Sequence, residues 1–272
     1  MRRAWAALLA AAALAAVPAF AKSVAFVADV RGSATIEGNG PLAFLAELPE
    51  GTRVQLGTGA TASVAFATSG AEFSLAGPGV FLVRSDEVVA EQGTAPKRRV
   101  VAVLSDTSVV ARAAQAATAS LRMRGLPPPS VPAMLEYPVG TRVSTLRPQL
   151  RWRPVPGEEY TVALQDAAGR ELWKGRGRPE GTRPDLRLAA GNRYSWTVAN
   201  SGGAVAEAQF ETLPEDAIRR VDKSRAGART FADRVVHALL LQELGAEHES
   251  REAWSALARE RPEMPELPIL AR

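Results

Sequence analysis

Two histidines, His237 and His248, are the only imidazoles in the 272-residue chain, and cysteine is absent. The missing cysteine removes thiol nucleophiles, disulfides and thiolate metal sites. Little is left for general acid–base work. A zinc-hydrolase helix would read H-E-x-x-H, which sets two imidazoles one turn apart on one face. Here the residue four after His248 is Glu252. No G-x-S-x-G, S-x-x-K or phosphate-cradling G-x-x-x-x-G-K-[ST] segment occurs. "GRGRPEG" at 175–181 is rich in glycine, but no helical pattern follows it and no acidic residue stands in register to hold a ribose. It fails as a nucleotide loop. A glycosidase-type carboxylate pair forms in space rather than in sequence, so the spacing alone leaves it open; the acidic residues here are scattered and lie mostly at turns. The reading is a non-enzymatic chain with no catalytic, metal-ligating or cofactor-binding residues. One side chain remains as a candidate ligand contact. Trp173 follows the turn "DAAGR" and precedes "KGRGRPEG". A tryptophan exposed beside arginine can stack on a sugar or on a partner side chain. The competing role is to cover the edge of a β-sandwich.

The net charge of +4 says little about partners, because Arg2 and Arg3 supply two of the positive charges. Lysine occurs only at Lys22, Lys97, Lys174 and Lys223, so the basic residues are nearly all arginine. With the abundant alanine, this reads as coding bias rather than a nucleic-acid surface. A DNA binder clusters its basic residues into a stripe. "KRR" at 97–99 is the one compact run. No nucleic-acid partner is expected.

The elements that would carry these side chains begin after a leader. "MRR" is a positive start, "AWAALLAAAALAAV" an apolar stretch, and "PAFA" sets Ala19 and Ala21 as small residues before Lys22. This is the pattern of a cleavable signal peptide over 1–21. The apolar stretch is mostly alanine and short against the roughly 20 residues of a membrane span. A mature chain starting at Lys22 is expected in the periplasm or the medium, with no integral membrane segment after cleavage.

Residues 22–99 read as short strands. Val24, Phe26 and Val30 alternate onto one face, then Ala34 and Ile36 after the Arg31-Gly32 turn. Val54 and Leu56, then Ala62, Val64 and Phe66, then Phe73 and Leu75 repeat the alternation. Gly77-Pro78-Gly79 breaks the series. Such spacing suits an all-β sandwich, roll or β-helix. "ADVRGSATI" at 28–36 and "LPEGTRVQLGTGATASVAFATSGAEFSLAGPGVFLV" at 48–83 resemble the FecR domain. The resemblance implies an extracytoplasmic β roll or β-helix, which in anti-sigma regulators senses an outer-membrane receptor. Those regulators carry a transmembrane helix before the domain, whereas a signal peptide leads this chain, so a binding or scaffolding role in the envelope is the implied remainder.

Residues 100–136 form a connector. "SDTSVVARAAQAATASLRMRG" is open to a helix over 105–124 or a strand at 107–111, and "LPPPSVP" at 126–132 reads as a stiff linker. Residues 137–213 then give a second β pattern. "LRWRPVPGEEYTVAL" and "LAAGNRYSWTV" resemble a fibronectin type III or immunoglobulin-like sandwich. The resemblance implies that Trp152 is the core tryptophan and that the Tyr194 hydroxyl bonds upstream backbone.

Residues 214–272 turn helical. Phe231, Val235, Leu239 and Leu240 share a face in a helix starting at Pro214 and ending before Gly245; Ala253, Trp254 and Leu257 line a second one, ended by Pro262. The pair resembles one tetratricopeptide-type hairpin, whereas a solenoid needs about three such units. It is expected to pack on the sandwich or to dock a partner. The whole is a mainly β protein of two β modules and a helical tail. It is expected to hold an envelope protein partner, or alternatively to accompany peptidoglycan.

Overall fold

A computed structural model describes residues 23–66, 69–100, 135–154, 159–178, 181–201 and 205–272. The signal peptide expected over 1–21 lies outside the described residues, as does most of the connector expected over 100–136, including the helix-or-strand segment at 105–124. Among the described residues, strand outweighs helix by 41% to 22%, so the fold is mainly β, and the helices there gather at the C-terminal end.

The first module is two five-stranded antiparallel sheets. One sheet is built on β1 (Ser23–Arg31), β6 (Thr61–Phe66) and β7 (Ala71–Ala76), with β4 (Glu47–Pro49) and β10 (Lys97–Val100) at its edges. The other centres on β5 (Arg53–Leu56), between β2 (Ala34–Ile36) and β8 (Gly79–Val83). Between the sheets lie Val27, Val54, Leu56, Val64, Phe66, Leu75 and Phe81, all buried. The alternation of β5, β6 and β7 therefore points inward as their sequences require.

Strand β1 departs from simple alternation. Its register shifts between Ser23 and Ala25 on β4 and between Val27 and Asp29 on β6. A bulge inserts a residue and re-aims those that follow. Val24 and Val30 consequently pack with the inner core, whereas Phe26 and Ala28 face the opposite way. The three residues read as one face are split between two cores.

The second module pairs a five-stranded sheet with a two-stranded one. The large sheet runs through β17 (Val205–Thr212), β16 (Arg193–Asn200), β14 (Tyr160–Asp166) and β15 (Glu171–Arg176), with β12 (Arg142–Val143) parallel to β17 at its other edge. The small sheet is β11 (Leu135–Tyr137) with β13 (Arg151–Trp152). Trp152, Tyr160, Val162, Leu164, Trp196, Val198 and Phe210 fill the space between them. The Tyr194 hydroxyl accepts from the Ala189 amide at 3.0 Å and donates to the Ala189 carbonyl at 3.2 Å. That is the upstream backbone bond the sequence implied. The indole of Trp196 donates to the Pro138 carbonyl at 2.7 Å, so the polar edge of this fully buried ring is satisfied.

The tail is three helices and a short turn, not a hairpin of two. Helices α1 (Glu215–Gly227) and α2 (Phe231–Glu243) break at Ala228–Thr230, followed by α3 (Glu247–Glu260) and α4 (Leu267–Leu270). Thr230 caps α2 through the Asp233 amide, and Asp233 returns the bond to the Thr230 amide. This reciprocal box satisfies two donors that a helix start leaves open. None of these helices is long and apolar enough to cross a membrane.

The tail packs on both modules. Phe231, Val235, Val236, Leu239, Trp254 and Leu257 close over Phe26, Ala28, Phe44 and Ala65 of the first module. Leu240 and Leu241 turn instead toward Ala217 and Val221 of α1 and Leu213 at the end of β17. Helix α2 is thus buried on two sides, and the sandwich is only one of its supports. Two arginines fasten the first contact. Arg261 donates to Asp29 at 2.9 Å and to the Val30 carbonyl at 3.3 Å, beside the second bulge of β1. Arg99 on β10 bonds Glu72 on β7, Asp233 at 2.9 Å and Thr230 at 3.0 Å.

Candidate functional site

The junction of the second module with the tail leaves a cleft of about 620 Å³. Seven separate segments shape it. Tyr137 comes from β11, and Ser144 and Arg147 from the loop after β12. Arg151 lies on β13, Arg183 between β15 and β16, and Arg225, His237, Glu249 and Glu252 on the three helices. The lining carries four arginines against two glutamates. A cleft of one predominant sign with protein walls concentrates counter-charge. Its volume falls within the range of roughly 300–1,000 Å³ typical of ligand sites.

The charges are unevenly satisfied. Arg151 pairs with Glu252 at 2.9 Å and lies over the Tyr137 ring at 5.0 Å. It also meets His248, whose ring lies tilted by 37° against Tyr137 at 4.6 Å between centroids. Arg225 bonds Asp222 at 3.0 Å and Ser144 Oγ at 3.2 Å. The exposed guanidinium groups of Arg147 and Arg183 form no ion pair among the described residues.

Glu249 enters the cleft from α3. Its Oε1 accepts from the Tyr137 hydroxyl at 3.1 Å and from the Ser144 amide at 2.9 Å. Its Oε2 is buried and meets no donor among the described residues. Burial pushes the Tyr137 phenol well above its ordinary range, and the Glu249 charge adds to the shift. Tyr137 is therefore a fixed hydrogen-bond donor. For Glu252, burial works upward but is outweighed by the Arg151 hydrogen bond and the His248 and Arg151 charges, so its carboxyl is held low and ionised.

Both histidines come to this junction, which their separation in sequence did not indicate. His237 Nδ1 lies 3.0 Å from Ser224 Oγ. A serine beside an imidazole invites a nucleophile reading. Two features oppose it. Ser224 is buried and is not part of the cleft lining, and burial together with the Arg225 charge lowers His237 to about 4. An imidazole that weakly basic is far from the poise a general base needs near neutrality. Among the described residues, no group of three or more acidic or imidazole side chains converges as a metal site would.

Trp173 lies on β15, the edge strand, half-buried against the sandwich core. Its ring lies across Gly175, where a Cβ would fall 2.4 Å from the indole. That is the position of a tryptophan covering the sandwich edge, away from the cleft lining. A smaller hollow of about 330 Å³ lies on the seam near Gly245, but there Arg142 and Arg193 share Glu211 at 3.6 and 4.0 Å.

Sequence reading missed Arg147, Arg183, Arg225 and Glu249. They stand up to about a hundred residues apart, on elements whose mutual placement no local spacing encodes. The signal that was available is compositional: a chain with few lysines and many arginines favours planar, forked contacts. No protein-family model, curated protein or solved structure matches the chain.

Proposed function

We propose that this is an exported, non-enzymatic envelope protein that holds an acidic partner in the arginine-lined cleft. The observation that carries the reading is a pair of exposed guanidinium groups, Arg147 and Arg183, that form no ion pair among the described residues and line a cleft of about 620 Å³ where the sandwich meets the helices. A guanidinium fork matches a carboxylate with two parallel hydrogen bonds and is more weakly hydrated than an ammonium, so it suits a partly buried contact. The resemblance of the first module to the FecR domain and the signal-peptide pattern at the N-terminus support a periplasmic setting for this activity. The first module then serves by holding the helices that form one wall of the cleft. The fibronectin-type aromatic spacing gives the opposite wall, in keeping with a module used for protein contacts.

The test is partner recovery from envelope fractions after crosslinking, with wild type and with Arg147→Glu/Arg183→Glu. Both positions are exposed, so the fold should survive, as circular dichroism would verify. Loss of the recovered partner with the fold intact supports the reading; unchanged recovery defeats it.

A further inference from the structure

His248 is held in a way that specifies where its proton sits. Arg151 Nη2 contacts His248 Nε2 and donates to Glu252 Oε1 at 2.9 Å, and that same oxygen lies 3.2 Å from Nε2. A guanidinium nitrogen only donates. The two N–H groups of Nη2 serve the carboxylate and the imidazole together, provided that Nε2 offers its lone pair. The ring is therefore neutral, with its proton on Nδ1. Arg151 faces it from β13 and the Tyr137 ring from β11, while Glu252 and Arg251 act on it from its own helix. The Tyr137 hydroxyl is committed to Glu249 and carries no charge here. A proton on Nε2 would remove the acceptor from Arg151, set a second cation against it, and make Nε2 a donor with Glu252 Oε1 in reach. The three groups thus have two hydrogen-bond arrangements that differ by one proton.

We propose that His248 is a proton-operated latch on the cleft: neutral, it ties Arg151 of the second module to α3, and protonated, it takes Glu252 and releases Arg151 toward an acidic ligand. This rests on the reading of the cleft as the binding surface, which Arg151 lines together with Arg147, Arg183 and Arg225. Burial lowers His248 below its ordinary 6.5; the Glu252 charge opposes this and the Arg151 charge adds to it. The latch is therefore closed above about 6.5 and opens as pH falls below that. Opening brings an imidazolium charge and a freed guanidinium to walls already rich in arginine. Acid then strengthens anion binding while it loosens the contact between β13 and α3.

Nitrogen NMR of the untagged mature chain tests the latch directly, with the two imidazoles told apart by His237→Gln. At pH 7.5 His248 should carry its proton on Nδ1 and leave Nε2 bare. On acidification the Arg151 side-chain signals should move with the midpoint of the ring, and that movement should vanish in His248→Gln. The binding arm uses dextran sulfate at constant ionic strength, because its charge does not change over this range. Wild-type affinity should rise between pH 7.5 and pH 5 by several-fold more than that of His248→Gln, and the gain should be lost in Arg147→Glu/Arg183→Glu. A proton on Nε2 at pH 7.5, or Arg151 signals that stay still while the ring titrates, overturns the inference. So does a wild-type gain equal to that of His248→Gln. If Arg151 moves with the ring but dextran sulfate binds wild type and Arg147→Glu/Arg183→Glu alike, the latch stands and the reading of the cleft falls.

Discussion

Glu72 and Asp233 are each only 3% exposed, and they share one cation, Arg99. Burial raises the Glu72 carboxyl, whereas at Asp233 burial is outweighed by the Arg99 and Thr230 hydrogen bonds and the value falls. Arg99→Met leaves two buried carboxylates facing each other and should cost about 3 kcal/mol, the low end for breaking a buried pair because Arg99 is itself partly exposed. Urea denaturation measures this, and adding Glu72→Gln should recover part of the loss. His237 gives a pH test. Its folded value of about 4 lies below the ordinary 6.5, so acidification protonates the unfolded chain first. The stability of the neutral ring is complete above about 6.5 and falls as pH drops toward 4, by roughly 3 kcal/mol in full. Wild type should therefore lose more stability between pH 7 and pH 5 than His237→Gln, read from urea midpoints. At this scale the sequence was legible where aromatic spacing fixes a role, as at Trp152 and Tyr194. It was illegible at Arg99 and Arg147, whose partners and neighbours are brought to them only by the tertiary fold.

Among the elements, β1 and α2 differ most from their sequence patterns, for different reasons. In β1 the alternation is genuine, but the two register shifts transfer Phe26 to the helical side. Bulges have no fixed residue signature, and the strand is buried on both faces, so either assignment of Phe26 fits its apolar character. In α2 the boundary was written in the sequence. Thr230 and Asp233 are a T-x-x-D box three residues beyond Gly227, where the reading of one continuous helix from Pro214 has no break. Thr230→Ala should cost about 1 kcal/mol of stability for the lost cap, and slightly more through its Arg99 bond. The thermal midpoint of that variant, compared with Thr230→Ser, checks the value. An unchanged midpoint would mean that the break between α1 and α2 is set by packing rather than by the cap.

The helices form one wall of the cleft and also cover the first module, so the parts of the molecule depend on each other. Trp254 sits in the shared core with an edge-on contact to Phe44 at 6.5 Å. Trp254→Ala should cost about 3–5 kcal/mol. Its hydrogen-exchange protection should fall in β1 and β6 of the first module and also at the Ser144 amide, which Glu249 of α3 holds. Loss confined to the helices would contradict the coupling. Deleting residues 22–99 would not isolate that module's role, because it would strip the helices of Phe26, Ala28 and Phe44. Composition and periodicity made the β, β, helical order readable. Which faces meet was not readable, since the joining contacts run between Asp29 and Arg261 or between Arg151 and Glu252. The central claim is that partners are held at the cleft. The direct measurement is site-specific photo-crosslinking in intact envelopes, with the photoreactive residue placed in turn at Arg147, at Trp173 and at the exposed Arg84 of the first module. Capture of a discrete partner from position 147, with little from 173 or 84, is the expected result. Capture from position 84 with position 147 silent would place the binding surface on the first module and contradict the account.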